Sequence, residues 1–498
     1  MIPCTCTHQQ LWPLLSLPNL TTILFINCSL SGDIPSTISN PSKLTTFDLG
    51  INSFSGGFPV FLGYITSLQY LSLSDNYFTG TIPGSIATLT NLTYLNLDAN
   101  EFSGDLSSLI RLIGSLPLQD LLLTNNNFTG SIPSSIGDHT KLTQLHLSNN
   151  MLSGSIPSEI GNMSSLGELW LLQNQFHGPI PFEIGKLGSL WQLDLSQNYL
   201  NGSIPSAVSN LTGLSFLYLY GNQLSGLIPP GFGNMQSLYV FQLMANKLTG
   251  PIPPSIGNMT CLESLYLRTN RLSGSIPKEL GKLAKLKELA LAENQLYGSL
   301  PIELNNLTSL TSLQISNNSF TGNLPSDICK GGALISFSAF DNKLSGPVPW
   351  SLRNCTTLTR LRLQNNQLTG SLTGSLGVLP NLNYLELSNN RFHGDLPSIF
   401  GTYQSLQSLI ISSANISGKM RLDLGNLSLL HKLDLSGNDL VREIPIYIGN
   451  MNSLIEISLD GNNFVGLIPR EIGALSELAN LNLAANNLYG EIPKELQE

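Results

Sequence analysis

The sequence is poor in charge. Asp, Glu, Lys and Arg make up 11% of its 498 residues, less than half the roughly 25% of an ordinary soluble chain. The charge is spread thinly, with a net −9 and no basic run, which excludes a surface that tracks nucleic-acid phosphates. Apolar runs are short, and none reaches the ~18 residues of a membrane-spanning helix. The opening stretch, MIPCTCTHQQLWPLLSLPNL, lacks the basic start and apolar core of a secretion signal. Histidine and cysteine are scarce, six of each. His8, His139, His146, His177, His393 and His431 show no metal-ligand spacing. Asp194, Glu288, Glu386, Asp434 and Asp460 are scattered, without a paired-carboxylate cleft, a nucleophile with its base or a phosphate loop. No enzymatic activity and no cofactor are expected.

What is abundant is turn. The chain has 45 glycines and 28 prolines, and they recur in step. A unit L-x-x-L-x-L-x-x-N-x-L-x-G-x-I-P is followed by its asparagine position from Cys28 and Asn52 to Asn486. Every interval is 24 residues except the 26 between Asn100 and Asn126. The leucines form a short strand whose inner face no single repeat can close, so repeats must stack. The asparagine amide donates and accepts hydrogen bonds at the strand end and links neighbouring repeats. Glycine turns the chain, and proline fixes φ on the return.

The fold expected is an α/β repeat solenoid. A continuous parallel sheet lines its concave face, and short helical or 3-10 segments cover its convex side. Residues 1–19 read as a partial N-terminal cap and 20–498 as about twenty repeats. At the usual strand spacing that is on the order of 95 Å of stack. Cys28 is expected to substitute acceptably for the ladder asparagine, and Ala414 to leave turn groups to water. The proline is lost at Ser107, Thr373 and Arg421, and Arg442 replaces a glycine; widened or irregular turns are expected there.

Side chains alternate along a strand, so the residues between the leucines face outward. Most are small or polar, but one block is aromatic or large: Trp170, Leu172, Phe216, Tyr218, Tyr220, Val240, Met244, Tyr266 and Arg268. Such clusters are favoured at interfaces, although cross-strand packing could also account for them. His146 also faces outward and is read as a solvated ring. In the repeat at 355–370, CTTLTRLRLQNNQLTG, the same alternation puts Arg360 and Arg362 side by side, two donor forks suited to a carboxylate. Tyr218 and Arg360 are six repeats apart, ~29 Å, the reach of an extended peptide of roughly 9–10 residues.

Thirteen Asn-x-Ser/Thr sequons occur. Asn162, Asn210, Asn258, Asn306, Asn354 and Asn426 share one phase, twelve residues past the repeat asparagine position, and would line one side as glycosylation acceptors. They point to an extracellular protein. With no leader, the chain is expected to be a truncated product or a piece of a longer one.

The phrase N-x-L-S/T-G-x-I-P, as in NMLSGSIP at 150–157 and NRLSGSIP at 270–277, resembles the plant-type leucine-rich repeat. Such repeats form the ectodomains of receptor-like kinases and receptor-like proteins and the polygalacturonase inhibitors. The segment 327–370, DICKGGALISFSAFDNKLSGPVPWSLRNCTTLTRLRLQNNQLTG, is similar to the peptide-sensing male-discoverer-interacting receptor kinase group, in which a cysteine pair on neighbouring repeats precedes an R-x-R strand. The resemblance implies that Arg360 and Arg362 bind the free C-terminal carboxylate of a secreted peptide and that a leucine-rich repeat co-receptor joins the complex. Cys329 and Cys355 lie eleven and thirteen residues past their ladder asparagines, a placement compatible with the disulfide the resemblance suggests. Cys4, Cys6 and Cys28 look like remnants of a cap with open pairing, and Cys261 is expected to be a buried thiol. Leader, membrane span and kinase are not found in the sequence. The alternatives are an inhibitor of an extracellular hydrolase, and a truncated decoy or non-functional fragment.

Overall fold

A computed structural model describes residues 19–34 and 43–496; Cys4, Cys6 and most of the expected N-terminal cap lie outside them. The chain divides into two compact units, Met1–Leu248 and Thr249–Glu498. Both are built from the same element.

Among the described residues, each repeat before the last opens on a three-residue strand with its middle side chain buried, as in Gln144–His146 and Glu168–Trp170, whereas in the last, Asn480–Asn482, Leu481 is exposed. These two run parallel, Leu145 opposite Leu169. Residues one repeat apart are partnered in the same way in the second unit, where Leu361 lies opposite Phe337 on one side and Leu385 on the other. Leucines such as Leu71, Leu95, Leu361 and Leu385 are fully buried, each worth ~2 kcal/mol relative to exposure. A second ladder forms around the L-x-G segment, for example Tyr77–Thr81 between Ser53–Gly57 and Glu101–Asp105. Its phenylalanines stack, Phe54 on Phe78 at 6.3 Å and Phe78 on Phe102 at 5.9 Å. The return is a 3-10 turn such as Ser158–Asn162, entered from Pro157 at φ −72°. This is the expected α/β repeat solenoid.

The asparagine ladder carries the buried turn. Asn198 Nδ2 donates to the carbonyls of Leu171, Leu195 and Ser196, while its Oδ1 accepts from the Phe176 N–H at 3.0 Å. One amide thus ties two repeats. The residue before it adopts left-handed φ, +53° at Asp75 and +57° at Thr269, a backbone conformation that the sequence reading of this turn did not include.

The departures behave differently from expectation in several places. At Ala414 the turn is not opened to water: Ala414 is 0% exposed, and its N–H and that of Ile416 both donate to Asn438 Oδ1 at 3.0 Å. In the repeat that is two residues longer, the segment around Ser107 forms an α-helix, Leu106–Leu112, whose N-cap Asp105 accepts from the Ser108 N–H. Behind Arg421 a regular 3-10 turn forms, Leu422–Asn426; Arg421 keeps the extended ψ of the entry, 144°, at a φ of −88°, wider than the −58° to −76° of the prolines at the other entries. Arg442 stays within the strand Asp439–Glu443 at φ +74°. Among the described residues no helix is long and apolar enough to cross a membrane.

Candidate functional site

In the second unit, Arg360–Arg362 is a strand with Leu361 buried and both arginines on the outer face. The two are not equivalent. Arg362 is half-buried; its Nε lies 3.3 Å from Glu386 Oε2, directly across the ladder, and its guanidinium sits 4.2 Å over the Phe340 ring. Arg360 is exposed, has no ion pair among the described residues, and lies 4.3 Å over the Tyr384 ring. The Tyr384 hydroxyl donates to Glu386 at 2.9 Å, and burial, then the Glu386 hydrogen bond, pushes its pKa up. Arg362, Tyr384 and Glu386 therefore form a pre-positioned platform, and Arg360 offers the fork left open. Glu386, read in the sequence as one of several scattered acids, is its missed member. The signal was present, since residues 24 apart face each other across parallel strands.

Cys329 and Cys355 are joined by a disulfide, with Cα atoms 5.8 Å apart. Cys355 precedes this strand by five residues, so the bridge clamps the turn that delivers it. Cys261 is half-buried rather than buried. Tyr266 and Arg268 also belong to this unit. The Tyr266 hydroxyl donates to Glu288, whereas Arg268 is exposed.

In the first unit, Phe216, Tyr218, Tyr220, Met244 and Trp170 are all half-buried outward residues. Phe216 stacks with Tyr218 and Tyr239 at 6.4 Å and meets Trp191 edge-on at 6.1 Å. Trp191 and Tyr239 were missed because they sit one residue before the strand, outside the alternation used to find outward positions. Trp170 is separate and stacks flat on His146 at 3.7 Å.

His146 is a correction: it is not a solvated ring but 6% exposed, covered by Trp170 and by Glu168, whose Oε2 is 3.0 Å from Nε2. A carboxylate at that distance would hold a proton on the ring, but burial dominates. It pushes His146 down to about 4 and Glu168 up, so the two do not both carry charge.

The six in-phase sequon asparagines, Asn162, Asn210, Asn258, Asn306, Asn354 and Asn426, are all exposed at the last position of a 3-10 turn. Among the described residues there is no cluster of three His, Cys, Asp or Glu suited to a metal.

Parallel strands at a fixed interval, a buried asparagine ladder and 3-10 returns define a leucine-rich repeat solenoid. The chain matches models described as leucine-rich repeat region over 241–419, leucine rich repeat over 42–102, and single repeats at six further places between 117 and 475. Among curated proteins, none matches it in sequence. Solved structures do. The Arabidopsis receptor kinase HAESA ectodomain with an N-terminally extended IDA peptide hormone ligand is 36% identical, covering 97% of this chain and 81% of that one, with a TM-score of 0.90. HAESA with IDA and the co-receptor SERK1 is 35% identical over 97% and 85%, with a TM-score of 0.86. A TDR receptor is 34% identical over 96% and 86%, with a TM-score of 0.89. The chain belongs to the leucine-rich repeat family of plant receptor-kinase ectodomains.

Proposed function

We propose that this chain is the ligand-recognition domain of a plant receptor-like kinase or receptor-like protein, that it works on the extracellular side, and that it recognises a secreted peptide without catalysing a reaction. The observation that carries the reading is the strand Arg360–Arg362, with one guanidinium committed to Glu386 and Phe340 and the other open over Tyr384. A peptide's C-terminal carboxylate on Arg360, with Arg362 held beside it, would gain charge-assisted bonds of ~1.5–3 kcal/mol each. The aromatic positions around Phe216 are a second contact surface, in the first unit. Tyr266 and Arg268 are the matching positions in the second.

The R-x-R strand with its adjacent disulfide favours the male-discoverer-interacting receptor kinase branch of the family. Pairing with a leucine-rich repeat co-receptor is proposed by analogy with HAESA, whose structure includes SERK1. The exposed asparagines at 162, 210, 258, 306, 354 and 426 are the proposed glycan acceptors.

The test is a binding screen of secreted peptides. The hit is then measured again with its C-terminus amidated, and against Arg360→Ala combined with Arg362→Ala. Each change is expected to weaken binding about tenfold or more, as loss of one such bond implies. Affinity unchanged in both measurements overturns carboxylate capture.

A further inference from the structure

Two departures from the repeat meet in one place. In the second unit, Arg421 stands at a repeat proline and Arg442, one repeat on, at a repeat glycine. Both line a groove of about 780 Å³ beside the small sheet that contains Ser417–Lys419, Asp439–Glu443 and Asn463–Gly466. The backbone does not require either arginine. Arg421 sits in extended backbone at φ −88° and ψ 144°, open to most residues, and Arg442 holds φ +74°, where a β-carbon is disfavoured and glycine is not.

The charge they bring is only partly answered. Arg421 Nε lies 3.4 Å from Asp423 Oδ2. Lys419 lines the same groove, and neither it nor Arg442 has a side-chain ion pair or hydrogen bond among the described residues. The acids lining it are Asp423 and Glu443, so the groove keeps one net positive charge, three cations against two carboxylates. Its walls are also apolar where they meet solvent. Leu422 is 74% and Ile446 65% exposed, and the Tyr447 ring is fixed by its hydroxyl, which donates to the Met420 carbonyl at 2.7 Å.

We propose that this groove binds a small amphipathic organic anion, its acid group on Arg442 and Lys419 and its apolar body against Leu422, Ile446 and Tyr447. A neutral ligand would leave the cations unanswered, and an inorganic ion would leave the apolar walls in water. A polyanion would meet Asp423 and Glu443. The site is separate from the outer strand face, and the proposal does not depend on the peptide-binding reading.

The probe is 8-anilinonaphthalene-1-sulfonate, titrated into the full chain and followed by fluorescence, with neutral N-phenyl-1-naphthylamine as its uncharged counterpart. Arg442→Gly and Arg421→Pro restore the repeat's own residues and so keep the fold, and Lys419→Gln changes an exposed side chain. The expected result is saturable one-site binding of the sulfonate, weakened at least fivefold by Arg442→Gly and by Lys419→Gln and lost in the Arg421→Pro/Arg442→Gly double variant, with binding of the neutral probe unchanged. No saturable binding by the native chain, equal affinity in the double variant, or parallel loss of both probes overturns the proposal.

Discussion

His146 shows how an outward strand position becomes an interior one. The ring is stacked under Trp170 and held by Glu168, so a proton placed on it loses hydration that the unfolded chain would supply. The folded ring takes up its proton at about 4, the unfolded ring at about 6.5. As pH falls, the unfolded state therefore binds the proton first. The stability this residue confers is complete above pH 6.5 and is lost on the way down to about 4. Glu168, with its pKa raised by burial, works in the opposite sense and offsets part of the loss. Between pH 7 and 5 the native chain should lose about 1–2 kcal/mol more stability than His146→Gln. Denaturant unfolding of both proteins at the two pH values checks this; equal losses would show that the ring titrates in the folded state as it does in solvent.

At the scale of one element, the turn after each strand is held by a single amide. Asn198 meets three carbonyls and one N–H, all within hydrogen-bond reach and away from water. Asn198→Ala removes every partner at once and leaves buried carbonyls unanswered, so a cost of ~3 kcal/mol is expected. A fall in Tm with unchanged far-ultraviolet circular dichroism would fit; an unchanged Tm would mean that water replaces the amide. At Ala414 the neighbouring amide takes one additional bond, Asn438 Oδ1 accepting from the Ala414 N–H as well as from its regular partner Ile416.

At the scale of the molecule, each repeat packs mainly on its neighbours, so stability is approximately a sum of repeat and interface contributions. The Cys329–Cys355 bridge closes a loop of separation 26 and should contribute about 3 kcal/mol. Replacing both cysteines by serine is expected to raise amide exchange in the repeats next to the bridge, including the strand Arg360–Arg362, and to leave Met1–Leu248 unchanged; a uniform rise along the chain would show cooperativity beyond neighbours. The period, the strands, the ladder asparagines, the fold class and the outward placement of Arg360 and Arg362 were legible in the sequence, because they depend on alternation and a fixed interval that every repeat obeys. What only the tertiary structure decided is which outward side chains are already taken. Arg362 is held by Glu386, His146 lies under Trp170, Trp191 and Tyr239 join Phe216, and Arg421 and Arg442 share one groove. The 24-residue interval already sets Arg362 opposite Glu386 and His146 opposite Trp170, but side-chain reach and burial decide which of such facing residues engage, and a pattern along one strand carries neither.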